Sequence, residues 1–386
     1  MNKFVFDKFL KMMRFTSGNT FLSNGWKLPV LLLIVLSVLT VESCKNDPPI
    51  LPTSKNMVTC GTPVELVLPD FYPPLPETPE NPLTEEGIEL GRHLFYEPML
   101  SGDNSQSCAS CHQQNASFID KDVQFSVGID GLEGFRNSMP LFNLAYAERY
   151  FWDGNSRSLE ELAAVPIEAE FEMHENVFEA IRELQESDKY PDMFYRAFCD
   201  STITSETMSK AMAQFLRTIF ATTLKIAPGS VGQQSRTPQE NRGFMVFLDE
   251  TKGDCFHCHV VNAFNTNFEF INNGLSENPT LDPGLFAHTA DPNDIGKFKV
   301  PSLINIDYTA PYMHDGRFSS LDEVLDFYDT GFHSSPSLDP NLQKHLDPNG
   351  KPIPRAWTEQ DKEDLKVFIR SLRDTAFFTD PRFSRP

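Results

Sequence analysis

Two short segments carry the residues best suited to chemistry: Cys108-Ala-Ser-Cys111-His112 and Cys255-Phe-His-Cys258-His259. In each, two thiols stand three positions apart and a histidine follows at once. A zinc half-site would need two further ligands at a matching spacing. A redox dithiol does not require the histidine. The complete C-x-x-C-H pattern fits a third chemistry. The thiols add to the two vinyl groups of one haem, and the histidine is held beneath the iron as its proximal ligand. Two copies predict two covalently bound haem c groups, one on Cys108, Cys111 and His112 and one on Cys255, Cys258 and His259.

Two haems do not by themselves make an enzyme. An electron carrier ligates both irons on both faces. A peroxidase leaves one face open and places an acid–base group there. The residues on the distal sides therefore decide between them.

The elements that must hold these motifs read as helices. Thr84 is an N-cap before Glu85 and Glu86. Ser158 with Glu161 forms a capping box, and Pro166 is expected to limit that helix. A helical stripe of Met208, Met212, Phe215, Leu216 and Ile219 follows Ser205. Ser320 with Glu323 caps another helix, for which Gly331 is a fitting stop. Thr358 opens a last helix with Leu365, Phe368, Ile369 and Leu372 on one face. Alternating strand patterns are scarce. The expected fold class is mainly α, with two cytochrome c-like domains, each around one covalent haem, and long loops between helices. The repeat of the motif puts the boundary near Ala227-Pro228-Gly229. The first domain is then 83–228 and the second 229–386.

Upstream, the chain reads as exported. Lys3, Lys8, Lys11, Arg14 and Lys27 precede an apolar run of 14 residues, Leu28–Val41. That is short for a membrane span, which needs ~20 residues, and suits a signal-peptide core. Val41-Glu42-Ser43-Cys44 resembles a bacterial lipoprotein box, with Glu42 a departure from the usual small residue. Residues 1–44 are thus a lipoprotein signal segment, Cys44 the lipid anchor, and the periplasm the compartment. Ten prolines in residues 45–82 favour an extended tether. Of the seven cysteines, Cys60 and Cys199 are left over; export permits a disulfide between them without showing one. The 54 acidic residues against 33 basic ones give a net charge of -21, which excludes nucleic acid as a partner.

Around the two motifs the sequence resembles the bacterial dihaem cytochrome c peroxidases and their MauG-like relatives, from about Leu83 to Leu372. The landmarks are Leu90-Gly91-Arg92, Leu100-Ser101-Gly102-Asp103, Arg136-Asn137-Ser138, Phe151-Trp152-Asp153-Gly154, Glu172-Met173-His174 and Ala310-Pro311-Tyr312-Met313-His314-Asp315-Gly316-Arg317-Phe318. The resemblance implies that Glu172 is the distal carboxyl over the peroxide-binding haem. It makes Trp152 the ring between the haems, and Asn137, Thr309 and Pro311 the ligands of one calcium ion. His174 is expected to be structural.

Two departures carry meaning. Peroxidases of the family that need reductive activation have a distal His on the first haem; Ile129 stands in its place, so that haem is expected to be open at rest. His93 or His174 are the residues a loop shift would recruit. The far ligand of the second haem, a Met in those members, falls on Tyr328, with Met313 as the rival. Tyr ligation is the MauG-like feature. A phenolate lowers the potential and stabilises high oxidation states. The resemblance then implies a peroxidase taking hydrogen peroxide and electrons from a small cytochrome c or cupredoxin. The alternative is a MauG-like oxidase that turns a peroxide-derived high-valent dihaem state on a protein or organic substrate. Monomer and homodimer stay open.

Overall fold

The computed structural model describes residues 60–224 and 236–386. The signal segment, the tether up to residue 59 and the boundary at Ala227-Pro228-Gly229 lie outside them. The described residues are mainly helical with little sheet, as expected. No helix among them is long and apolar enough to cross a membrane.

The first half contains α1 (Glu85–Phe95), the short α2 (Cys108–Cys111), α3 (Leu159–Glu168), α4 (Val177–Glu186), α5 (Tyr190–Phe198) and α6 (Ser205–Leu216). The second contains α7 (Pro238–Leu248), β1 (Phe270–Ile271), α8 (Phe286–Thr289), β2 (Phe298–Lys299), α9 (Leu321–Asp326), α10 (Pro340–Gln343) and α11 (Glu359–Ser371). The strands form one antiparallel pair, Phe270 opposite Lys299. A π-helical turn, Phe327–Gly331, continues α9.

The caps explain where helices start. Thr84 Oγ1 accepts from the Gly87 N–H at 3.0 Å. Ser320 and Thr358 each share a reciprocal capping box with the residue three on. One detail differs from the sequence reading. Pro166 lies inside α3 instead of limiting it. It sits in the last turn, where the one bond it cannot donate does not stop two further residues. The stripe after Ser205 lies on α6, which Thr204 caps with Ser205 as its first residue.

The halves repeat one packing device. In the first, α1 crosses α6 so closely that a Cβ on Gly91 would lie 2.0 Å from the Ala211 carbonyl oxygen. In the second, α7 crosses α11, and a Cβ on Gly243 would lie 1.9 Å from the Asp364 carbonyl oxygen. Only glycine lets the backbones meet. Each pair builds an apolar core beside one C-x-x-C-H turn: Phe95, Phe118 and Phe215 near Cys108, and Phe247, Leu365 and Phe368 near Cys255.

Two terminal segments pack where composition did not place them. Residues 60–82, read as part of the tether, lie against the body. Cys60 is disulfide-bonded to Cys199, Val64 N–H donates to the Leu83 carbonyl at 3.0 Å, and buried Tyr72 donates its hydroxyl to the Ala221 carbonyl at 2.6 Å. Aromatic packing against Phe220 and Phe264 outweighs the proline bias. At the other end, Phe377 and Phe383 enter the core of the first half, and Tyr96 donates to the Phe383 carbonyl at 2.6 Å. The last residues thus strap the second half of the sequence to the first.

Candidate active site

The first C-x-x-C-H turn is α2. His112 follows it, half-buried, and its Nδ1 donates to the Phe118 carbonyl at 2.7 Å. That bond fixes the tautomer and leaves Nε2 free as a ligand. Burial pushes the Cys108 thiol up to about 12 and Cys111 up to about 11. A redox dithiol needs the opposite, a lowered thiol pKa. The second turn behaves alike: desolvation raises Cys255 and Cys258 to about 12 and drives half-buried His259 down to about 4.

Glu172 lies close enough to Cys108 and Cys111 for its charge to raise both thiols. Its carboxyl makes no hydrogen bond or ion pair among the described residues, and burial lifts its pKa to about 7. The backbone is held on both sides. The Ile129 N–H donates to the Glu172 carbonyl at 3.0 Å, and the Gly102 N–H donates to the Met173 carbonyl at 2.9 Å. A Cβ on Gly102 would lie 2.6 Å from the His174 carbonyl oxygen, and one on Gly128 2.6 Å from that of Glu172. These glycines let the two loops close on the carboxyl-bearing turn. The alternative ligands stand apart: His174 is exposed and paired with Asp130, and His93 pairs with Glu89 on α1 at 3.2 Å.

Around the second turn one deep cavity is lined by Cys255, Cys258, His259, Met313 and Tyr328. Trp152, Asn137, Thr309 and Pro311 line it too. Trp152 comes from the first half of the sequence, so its ring stands at the seam. Its Nε1–H donates to the Asn137 carbonyl at 2.8 Å. Asn137 gives its own amide Nδ2 to the carbonyls of Val123 and Gln124, which leaves Oδ1 uncommitted.

Tyr328 lies in the π-helical turn, a distortion that often marks functional positions. Burial pushes its hydroxyl up to about 12. Asn273, which the sequence reading missed, donates Nδ2 to Tyr328 Oη at 3.3 Å and to Met313 Sδ at 3.7 Å. Both ligand candidates therefore border the same space. Arg355, also missed, donates to the Tyr328 carbonyl at 2.8 Å and to the Lys252 carbonyl at 3.1 Å. It ties the tyrosine turn to the strand of chain entering Cys255. Neither residue belongs to a motif; only the fold brings them in.

The donor set fits a haem. The cavity wall is largely apolar, and the buried Trp357 Nε1–H has no acceptor among the described residues, as a wall facing a carboxylate-bearing ring would leave it.

A mainly helical body with two C-x-x-C-H turns, each against its own apolar core, defines a protein of the di-haem peroxidase class. Residues 85–227 match the family described as di-haem cytochrome c peroxidase. The chain is 32% identical over 333 residues to cytochrome-c peroxidase IdrP1 of Pseudomonas sp. (strain SCT), covering 78% of this chain and 84% of that protein. It is 32% identical over 301 residues to the methylamine utilization protein MauG of Methylorubrum extorquens, covering 78% and 81%. It is similar, with a TM-score of 0.73 and 30% identity, to the crystal structure of a MauG-like protein associated with microbial copper homeostasis, over 84% of this chain and 99% of that one. The chain belongs to the di-haem cytochrome c peroxidase and MauG family. It is an oxidoreductase of peroxidase type, and haem is the cofactor this family implies.

Proposed function

We propose that the chain is an exported dihaem c-type peroxidase that reduces hydrogen peroxide with electrons from a small cytochrome c or cupredoxin. In this reading Cys108 and Cys111 bind the first haem covalently, and Cys255 and Cys258 the second. His112 and His259 would hold the two irons, with Tyr328 as a further residue that would hold the second. The two halves, 83–228 and 229–386, are the two cytochrome c-like domains, with residues 60–82 and the C-terminal tail strapped across the first. When bound, the haems would supply the redox-active iron for peroxide reduction.

The protein's own part is proton handling. Glu172 takes the proton from the inner peroxide oxygen and gives it to the outer one, which leaves as water. The observation that carries this is its half-buried carboxyl, without a partner among the described residues, whose pKa burial raises to about 7. Ile129 beside it offers iron no ligand, which keeps the first site open. Trp152, locked by its bond to Asn137, provides the aromatic step between the haems. One calcium ion belongs to this reading, on Asn137 Oδ1 and the carbonyls of Thr309 and Pro311, which accept no backbone hydrogen bond among the described residues. The lipid anchor at Cys44 and a periplasmic location complete it.

A second reading is favoured by Tyr328: a phenolate-ligated, low-potential second haem suits the oxidation of a protein or organic substrate better than uptake of electrons from a high-potential donor. Pyridine haemochrome analysis should find two haem c per chain. Steady-state peroxide turnover with a panel of reduced donors then separates the readings. Fast turnover with a small cytochrome or cupredoxin supports the first; single turnovers without such a donor support the second.

A further inference from the structure

Among the described residues, most buried or half-buried cations stand against carboxylates. Arg136 bridges Asp153 at 2.5 Å and Asp282 at 2.7 Å. Lys366 bridges Asp322 at 2.5 Å and Glu363 at 2.6 Å. Lys299 and Arg355, each 7% exposed, differ: neither meets a carboxylate among the described residues. Arg355 spends its guanidinium on the carbonyls of Tyr328, Lys252 and Gly253, whereas the only hydrogen bond of Lys299 Nζ among the described residues is to the Arg149 carbonyl at 2.7 Å. The Tyr150 and Phe268 rings lie 5.3 and 5.8 Å from Nζ. They offer cation–π attraction and no charge. An ammonium has three N–H donors, so two remain unspent. No carboxylate among the described residues lies within ion-pair distance. Burial lowers the Lys299 pKa only to about 8, so the group is still mainly charged at neutral pH. A buried, unpaired cation is strongly disfavoured unless an anion comes to it.

The place of Lys299 points to that anion. It lies on β2, where its backbone N–H donates to the Trp152 carbonyl at 2.8 Å, and it lines the cavity of Cys255, Cys258 and His259. Haem carries its two vinyl groups on one edge and its two propionates on the opposite one. Attachment through Cys255 and Cys258 at the vinyl edge turns the carboxylates away from the sulfurs, toward another wall of the cavity. We propose that Lys299 Nζ is the counter-charge for a propionate of the second haem, and that it holds this haem's potential up. The assignment rests on the reading of this cavity as a haem site.

The test is a redox titration of the dihaem holoprotein with haem content measured alongside. In Lys299→Met the reduction equilibrium of the second haem should shift about tenfold toward the ferric form, 59 mV for one electron. Its potential should also become more pH-dependent, because the released propionate now titrates. Lys299→Arg should keep the wild-type value. Two haems with an unmoved potential and unchanged pH dependence in Lys299→Met would overturn the proposal and leave the haem reading intact. One haem or none in the wild type would overturn both. Should Lys299→Met not accumulate with two haems, the redox-difference infrared spectrum of the wild type decides. A propionate band that stays ionised to below roughly pH 4, the ordinary carboxyl range, supports the pairing; one that titrates in or above that range overturns it.

Discussion

The backbone N–H of Ile129 donates to the carbonyl oxygen of Glu172 across 3.0 Å. On the proposed reading, this bond ties the position from which a histidine would close the first iron to the turn that carries the distal carboxyl, and so joins the two conditions for peroxide chemistry, an open coordination position and a group to move the proton.

Replacement Glu172→Gln preserves the backbone contacts and removes the proton carrier. Both haems should be retained. The second-order reaction with peroxide, followed by stopped-flow absorbance, should slow by roughly 10²–10⁴-fold. An unchanged rate would remove Glu172 from the mechanism.

The pH profile of the same reaction gives an independent reading. Burial raises the Glu172 carboxyl to about 7, above its ordinary value of about 4.3. Below pH 7 it is therefore mostly protonated and cannot accept the peroxide proton. The rate should fall as pH drops through 7, and this limb should vanish in Glu172→Gln. A limb near the ordinary carboxylate range would mean that a solvated acid is titrating instead.

If Tyr328 holds the second iron as proposed, Tyr328→Met exchanges a hard anionic ligand for a thioether and should raise the potential of the second haem in spectroelectrochemical titration. An unmoved potential would hand the ligand position to Met313, whose sulfur shares Asn273 with the tyrosine hydroxyl.

Gly243→Ala tests the helix crossing that backs the second site. The new Cβ would lie 1.9 Å from the Asp364 carbonyl oxygen, so α7 and α11 must part. Thermal or denaturant unfolding should show a loss of about 1–3 kcal/mol. No loss would mean that the helices adjust freely and that the repeated glycine crossing has no structural role.

The chemistry was legible in the sequence where it is encoded locally. C-x-x-C-H is a covalent spacing, and Thr84, Ser320 and Thr358 declare their helices through bonds within one turn. What was not legible depends on contacts far apart in the chain. Asn273 and Tyr328 are 55 positions apart, Arg149 and Lys299 150, and Cys60 and Cys199 139. Prolines in 60–82 suggested a free tether, because local bias cannot reveal that Tyr72 finds a cage of aromatic rings. Pro166 misled in the same way, since a helix tolerates one missing bond when Leu159, Ala163 and Ile167 are buried on its inner face.

The most direct test of an open peroxide site is the low-temperature electron spin resonance spectrum of the purified, resting ferric protein. The account predicts one high-spin five-coordinate haem and one low-spin haem. Two low-spin haems would contradict it, because a protein ligand would then occupy the position that Ile129 leaves free.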